Sequence, residues 1–256
     1  MLHITSVNNP QVKKWKKLSL KKERTKQQTY LIEGFHLVEE ALKHKKEEIQ
    51  QIMIREDLLE DEDFLKLNID TDKVVIINLN IAEEISETQT NQGIFAELAI
   101  ETLSFPESID GPILLLDAVQ DPGNVGTMIR TADAAGFQGV FLGKGTVDLY
   151  NSKTLRSAQG SHFHLEIYEG DLKNFITQFK EEGYPVFGTA LNEEAASYKD
   201  VYVETPFALA VGNEGSGMNH EIINVIDQNI FIPMHGNAES LNVAIAASIL
   251  MFHLIH

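Results

Sequence analysis

The chain has 256 residues, long for one compact domain and ample for two. Its 43% hydrophobic content is that of a soluble globular protein, no apolar run approaches the ~20 residues of a membrane span, and residues 1–10 lack the apolar core of a signal peptide. The lack of cysteine excludes disulfides, a thiolate nucleophile and a cysteine-based zinc site, so no metal is expected and the cytoplasm is the expected compartment, while the net charge of −17 argues mildly against a nucleic-acid partner.

Between Lys13 and Lys26 the charge balance reverses. Lys13, Lys14, Lys16, Lys17, Lys21, Lys22, Arg24 and Lys26 stand against Glu23 alone, a local charge of +7 (eight minus one). Salt screens charges beyond ~8 Å at physiological ionic strength, so an acidic protein can still carry a basic footprint. A solvated lysine-rich helix is the plainer alternative, and charge alone does not choose between them. Trp15 and Leu18 offer this stretch an apolar stripe. Tyr30-Leu31-Ile32 then reads as a strand. Residues 34–46 read as a helix, with Leu37, Val38, Ala41 and Leu42 at helical spacing, and 49–54 and 74–77 read as strands. These elements make a small α/β domain over 1–105. The stretch from Leu103 to Pro112, containing Pro106 and Gly111, reads as a linker to a second domain over 110–256.

In the second half, apolar strand-like runs at 113–116, 140–142, 186–188, 207–211 and 230–232 alternate with helical segments at 127–135, 171–182, 219–226 and 241–254. The runs are continuous, which suits a parallel sheet covered on both faces, so the fold class is a doubly wound α/β domain. Such sheets bind ligands at the carboxyl ends of their strands. Three loops rich in glycine and asparagine lie there: 117–130, 212–218 and 233–242.

In the first loop, Asp117 to Gly126, Gly123 and Gly126 permit close backbone approach and Asn124 offers an amide that donates and accepts. Arg130 falls in the expected first helical turn, where a cation opposes the helix dipole at a cost of ~0.3–1 kcal/mol. An arginine that meets a phosphate explains this, and from position alone a surface arginine paired with Asp133 or Asp121 explains it at least as well. The second loop, Val211-Gly212-Asn213-Glu214-Gly215-Ser216-Gly217-Met218, matches neither the dinucleotide glycine pattern nor a phosphate-binding P-loop. Ser240 in the third is a natural N-cap for the last helix, and Asn242 would be a polar residue in that helix's first turn that needs a partner.

In order and spacing, Asp-Pro-Gly-Asn-Val-Gly…Arg-Thr-Ala, Gly-Asn-Glu-Gly-Ser-Gly-Met and Ile-Pro-Met…Glu-Ser-Leu-Asn-Val resemble the three motifs of the SpoU/TrmH family of ribose 2′-O-methyltransferases, within the SPOUT superfamily, over about 113–256. Arg156-Ser157-Ala158-Gln159-Gly160-Ser161 resembles the family's intermediate segment. Tyr30-Leu31-Ile32-Glu33-Gly34 resembles the ribosomal-protein-like substrate-binding domain that many members carry.

The resemblance implies a deep trefoil knot near the C-terminus, S-adenosylmethionine as cofactor, and a homodimer in which the final helix takes part. It implies that Thr189, Ala190, Leu191, Gly212, Ile232, Met234 and Leu241 line the cofactor pocket. It makes Arg130 the catalytic arginine, with Asn124, Glu214, Ser240 and Asn242 positioning ribose and Arg130. Because arginine is almost always protonated, stabilising the developing alkoxide and the adjacent phosphate suits it better than accepting a proton. Ribosomal RNA is the expected substrate, with RNA contacts from the Lys13–Lys26 stretch. The alternatives are a tRNA 2′-O-methyltransferase, a base-nitrogen methyltransferase, an inactive RNA-binding protein of the same fold, and an unrelated small-molecule α/β enzyme.

Overall fold

The computed structural model describes residues 1–190, 194–204 and 206–255. The chain divides into two compact units: Met1–Glu101 together with Tyr150–Phe163, and Thr102–Leu149 together with His164–His256. Among the described residues no helix is long and apolar enough to cross a membrane.

The first unit is built on five strands: β1 (Leu2–Ile4), β2 (Thr29–Glu33), β3 (Ile49–Arg55), β4 (Val74–Ile77) and β5 (Ile94–Ala99). Their spatial order is β1-β4-β3-β5-β2, parallel through β1, β4 and β3 and antiparallel through β3, β5 and β2. The helices are α1 (Pro10–Lys17), α2 (Lys21–Gln27), α3 (Phe35–His44), α4 (Glu62–Lys66) and α5 (Leu79–Ile85). The sheet has two apolar faces. One packs Val12 and Trp15 of α1, Leu18, and Ile81 and Ile85 of α5 against Met53 and Phe95. The other packs Leu37, Val38 and Ala41 of α3 against Ile32, Ile52 and Ala96.

The expected strands at 30–32, 49–54 and 74–77 and the helix at 34–46 are all present. The basic stretch forms two helices rather than one, broken where Leu18 caps α1 and Leu20 leads into α2. Strands β1 and β5 were not evident from the apolar pattern. Glu97 interrupts β5, and a central strand tolerates it because its carboxylate is saturated. Lys14 Nζ donates to it at 2.5 Å, Trp15 Nε1 at 3.0 Å and Thr29 Oγ1 at 2.9 Å.

The second unit opens with β6 (Ile113–Leu116), α6 (Pro122–Ala134) and β7 (Gly139–Gly143). The chain then contributes α7 (Ser152–Ala158) to the first unit, where Leu155 and Phe163 join the α3 face of its core. It continues with β8 (Glu166–Gly170), α8 (Leu172–Glu181), β9 (Val186–Gly188), β10 (Ala196–Ser197), β11 (Ala208–Val211), α9 (His220–Ile223), β12 (Gln228–Phe231) and α10 (Val243–Leu254). The seven strands are all parallel, in the order β10-β12-β9-β11-β6-β7-β8. The winding runs outward from β6 through β7 to β8 and then returns to the other side, so its direction reverses between the neighbours β6 and β11. A doubly wound sheet opens a ligand crevice at such a point.

Two expectations change. The stretch from Leu103 to Pro112 is packed rather than a free linker: Leu103 bridges to Tyr168, the Phe105 ring lies 5.2 Å from that of Phe175, and Ile109 joins the same core. Helix α6 starts five residues before the expected Thr127, because the Asp121 carboxylate caps Asn124 N at 2.9 Å and Pro122 occupies the first helical position. Arg130 therefore lies in the third turn, beyond the reach of the dipole argument.

Candidate active site

The loops after β6 and β11, the neighbours at the switch point, are locked to each other by one side chain. The Glu214 carboxylate accepts from Gln120 N at 3.2 Å, Asp121 N at 3.1 Å and Asn124 Nδ2 at 3.0 Å. Partial burial alone would raise the Glu214 pKa. The hydrogen bonds from Asn124 and from the backbone amides of Glu214, Asp121 and Gln120 outweigh it and hold the carboxyl below its ordinary value. Glu214 is thus a fixed anion whose lone pairs are committed to positioning.

Asn124 carries the connection onward. Its Oδ1 accepts from Asn242 Nδ2 at 3.0 Å, and Asn242 Oδ1 in turn caps Ala244 N at 2.9 Å and Ile245 N at 3.3 Å. Asn242, not Ser240, is the N-cap of α10, so it lies one position outside the helix rather than in its first turn. An asparagine cap leaves its amide N–H free to donate outward, which a serine cap cannot do in the same way. The chain Glu214–Asn124–Asn242 brings the three loops together.

Two further contacts shape the loop after β11. Asn213 donates to Ala118 O at 2.9 Å and accepts from Gly215 N at 2.9 Å and Ser216 N at 3.1 Å. Buried Asp117 accepts from Asn219 N at 2.6 Å. A Cβ on Gly212 would lie 2.2 Å from Met218 N, so only glycine lets the loop close on itself there. Asp117 and Asn213 were not singled out from sequence, where a short acidic or amide residue in a glycine-rich turn carries no distinguishing signal.

Arg130 is exposed on α6 and has no hydrogen-bond or ion-pair partner among the described residues. The carboxylates that a surface pairing would use are occupied: Asp133 Oδ2 contacts His164 Nδ1 at 2.8 Å, and Asp121 caps α6. A free guanidinium therefore stands on the helix that carries Asn124.

Beside these loops the second unit holds a cavity of about 400 Å³. Thr189, Ala190, Ile232, Met234 and Leu241 line it, as does Ser240, which serves no cap. Gly212 is not part of the lining, and Leu191 lies outside the described residues. Pro233, Glu239 and Leu250 complete much of the wall. The mixture of apolar side chains, strand-end backbone and three polar side chains (Thr189, Glu239 and Ser240) suits a small amphipathic molecule.

Of the eight basic residues between Lys13 and Lys26, three are engaged. Arg24 is buried, and its guanidinium donates to Leu18 O at 2.7 Å and Ser19 O at 2.8 Å. Lys14 pairs with Glu97, and Lys16 with Glu84. Lys13, Lys17, Lys21, Lys22 and Lys26 are exposed without such partners among the described residues.

Comparison with known proteins matches these features to one family. The model of the SpoU rRNA Methylase family covers residues 111–252, and that of the MRM3-like substrate binding domain covers 9–96. The chain is 46% identical over 257 residues to the 23S rRNA (guanosine(2553)-2'-O)-methyltransferase RlmP of Bacillus subtilis, covering 99% of each chain. Among solved structures, an AdoMet-bound rRNA methyltransferase from Sinorhizobium meliloti superposes with a TM-score of 0.86 at 30% identity, over 98% of this chain and 96% of that one. A putative RNA methyltransferase of the TrmH family from Porphyromonas gingivalis gives 0.85 at 29%, over 97% and 98%. The chain, with its three loops joined through Asn124 in the second unit, therefore belongs to the SpoU rRNA methylase family.

Proposed function

We propose that the chain transfers a methyl group from S-adenosylmethionine to a ribose 2′-hydroxyl of 23S rRNA in the cytoplasm. The observation that carries this reading is the Glu214–Asn124–Asn242 chain, which ties the three motif loops together on the helix that also carries Arg130, a residue with no partner among the described residues. The 46% identity to RlmP over the whole chain supports 23S rRNA over tRNA.

The residues lining the second unit's cavity fit the cofactor. Ile232, Met234 and Leu241 offer apolar wall, and Thr189, Ala190 and Ser240 offer polar atoms near the strand ends. These residues would hold it, with Gly212 shaping the adjoining loop. The cofactor supplies a methyl group on a sulfonium, a good leaving group, so the protein's task is chiefly alignment. Arg130 stabilises the negative charge that develops on the 2′-oxygen as its proton passes to solvent water, and it binds the neighbouring phosphate. Asn124 and Asn242, each oriented by its partner, position the ribose, and Glu214 keeps Asn124 turned correctly. With donors from Gln120, Asp121 and Asn124 on its carboxylate, Glu214 serves to position the loops.

The first unit binds the RNA, with Lys13, Lys17, Lys21, Lys22 and Lys26 facing phosphates, while Lys14, Lys16 and Arg24 hold the helices in place. The placement of β9 between the later strands β11 and β12 supports the implied knot. Ile245, Ile249 and Phe252 leave one face of α10 apolar and exposed at 51%, 37% and 45%, which supports a homodimer through that helix.

The test is methylation of 23S rRNA from cells lacking this protein, with the modified position mapped by 2′-O-methyl sequencing. A single new 2′-O-methyl nucleotide is expected. Methylation of tRNA alone, or of a base nitrogen, would overturn the reading.

A further inference from the structure

We infer that the first unit holds a base-reading pocket, a cavity that takes one unpaired nucleobase of the RNA substrate against Arg156. The inference rests on rRNA being the substrate. The cavity measures about 190 Å³, and its walls include Glu33, His36, Leu37, Thr90, Gln92 and Arg156. It shares no lining residue with the cavity of the second unit.

Arg156 is its distinguishing feature. This side chain is half-buried on α7 and has no hydrogen-bond or ion-pair partner among the described residues. A guanidinium partly withdrawn from water needs acceptors to replace its hydration. Among the described residues, no acidic side chain pairs with it. Glu33 lines the same cavity, and its carboxylate takes hydroxyl donors rather than Arg156: Ser86 Oγ donates to both of its oxygens at 2.9 and 3.0 Å, and Thr88 Oγ1 donates at 2.6 Å.

The rest of the lining is fixed in place. Gln92 Oε1 accepts from Phe35 N at 2.9 Å, which leaves the Gln92 amide N–H groups as donors. A Cβ at Gly34, where φ is +103°, would lie 3.0 Å from that same Oε1. The His36 ring is held by a 3.0 Å contact with Gln159 O.

The chemistry selects a base. A donor-only guanidinium, an acceptor-only carboxylate, an amide, a hydroxyl, an imidazole face and a leucine wall line one small space. A free phosphate presents acceptors only, and Glu33 would repel it. An unpaired nucleobase presents apolar faces and an edge of both donors and acceptors, and single-stranded RNA is read by this kind of lining.

The full-length protein with Arg156→Gln or Arg156→Lys tests this. Equilibrium binding to an unmodified 23S rRNA transcript is measured across a salt series, together with S-adenosylmethionine affinity and melting temperature. Arg156→Gln should weaken RNA binding roughly tenfold or more. Arg156→Lys should recover only part of it, since an ammonium lacks the planar fork. The salt slope, cofactor affinity and melting temperature should not move, because a base contact releases no phosphate counterions. Wild-type RNA affinity in Arg156→Gln overturns the inference. A salt slope smaller by about 1 overturns the base in favour of a phosphate contact, and a lowered melting temperature makes the residue structural. A wild-type protein that neither binds nor methylates the transcript removes the functional reading itself, and this inference with it.

Discussion

Glu97 in the first unit and Glu214 in the second each collect donors from separate stretches of chain, but in opposite surroundings. Glu97 is 1% exposed and takes a lysine, an indole and a hydroxyl. Glu214 lies among exposed loops and takes two backbone amides and an asparagine. A buried carboxylate needs a cation or equivalent donors to be tolerated, and here that requirement pins α1 and β2 to the sheet. A carboxylate at the surface is satisfied by neutral donors. The candidate-site loops are therefore ordered without using up a cation, and Arg130 keeps no partner among the described residues. Glu97 and Lys14 commit their charge to the fold, whereas Arg130 keeps its charge in reserve.

The reserve is tested by Arg130→Ala. Methyl transfer from radiolabelled cofactor to 23S rRNA should fall by about 10² to 10³ or more, as for removal of one charge-stabilising donor, with cofactor affinity within about twofold of wild type. Full activity would remove Arg130 from the reaction. Glu97→Ala tests the other side. It strands Lys14, Trp15 Nε1 and Thr29 in a packed face, and urea unfolding should show a loss of about 2–4 kcal/mol, the lower end reflecting the partly exposed lysine. A loss below about 0.5 kcal/mol would place Glu97 with ordinary surface pairs.

The basic stretch divides along the same line. Replacing Lys13, Lys17 and Lys21 together by glutamine should weaken rRNA binding and reduce its salt slope by about 2. The same exchange at Lys16, already paired with Glu84, should change the slope less than at Lys17. Equal effects would return the stretch to a solvated face. The smallest effect is expected from pH. The folded-state pKa of Glu214 is lowered, so its contribution to stability is complete above the unfolded value of about 4.3 and is lost as pH falls through the folded value. Wild type should exceed Glu214→Gln in melting temperature at neutral pH, and the gap should close below about pH 4. A gap that widens in acid would mean a raised pKa.

Legibility followed local physics. The expected strands at 74–77 and 113–116 coincide with β4 and β6, because short β-branched or leucine runs buried on both faces have one plausible use. The edge strand β8, with Glu166 and Glu169 exposed, and the glutamate-bearing β5 had no such pattern. The start of α6 was hidden by two glycines that looked like a loop, although Asp121 and Pro122 already marked it. The Arg156 pocket could not be seen in the chain order at all. It requires α7 to return to the first unit and stand beside residues more than sixty positions earlier.

By itself, the sequence determined the fold class, the three loops at strand ends and, through their order and spacing, the family of reaction. Those properties depend on apolar periodicity and on residue types at short separations, which a chain displays directly. The tertiary structure alone decided which polar groups are used up and which remain free. Glu214 is saturated, Arg24 is buried, Arg130 and five lysines have no partner among the described residues, and Arg156 lines a cavity. Partnership depends on which distant segments meet, and an unpaired charge is defined by neighbours that the linear order does not contain.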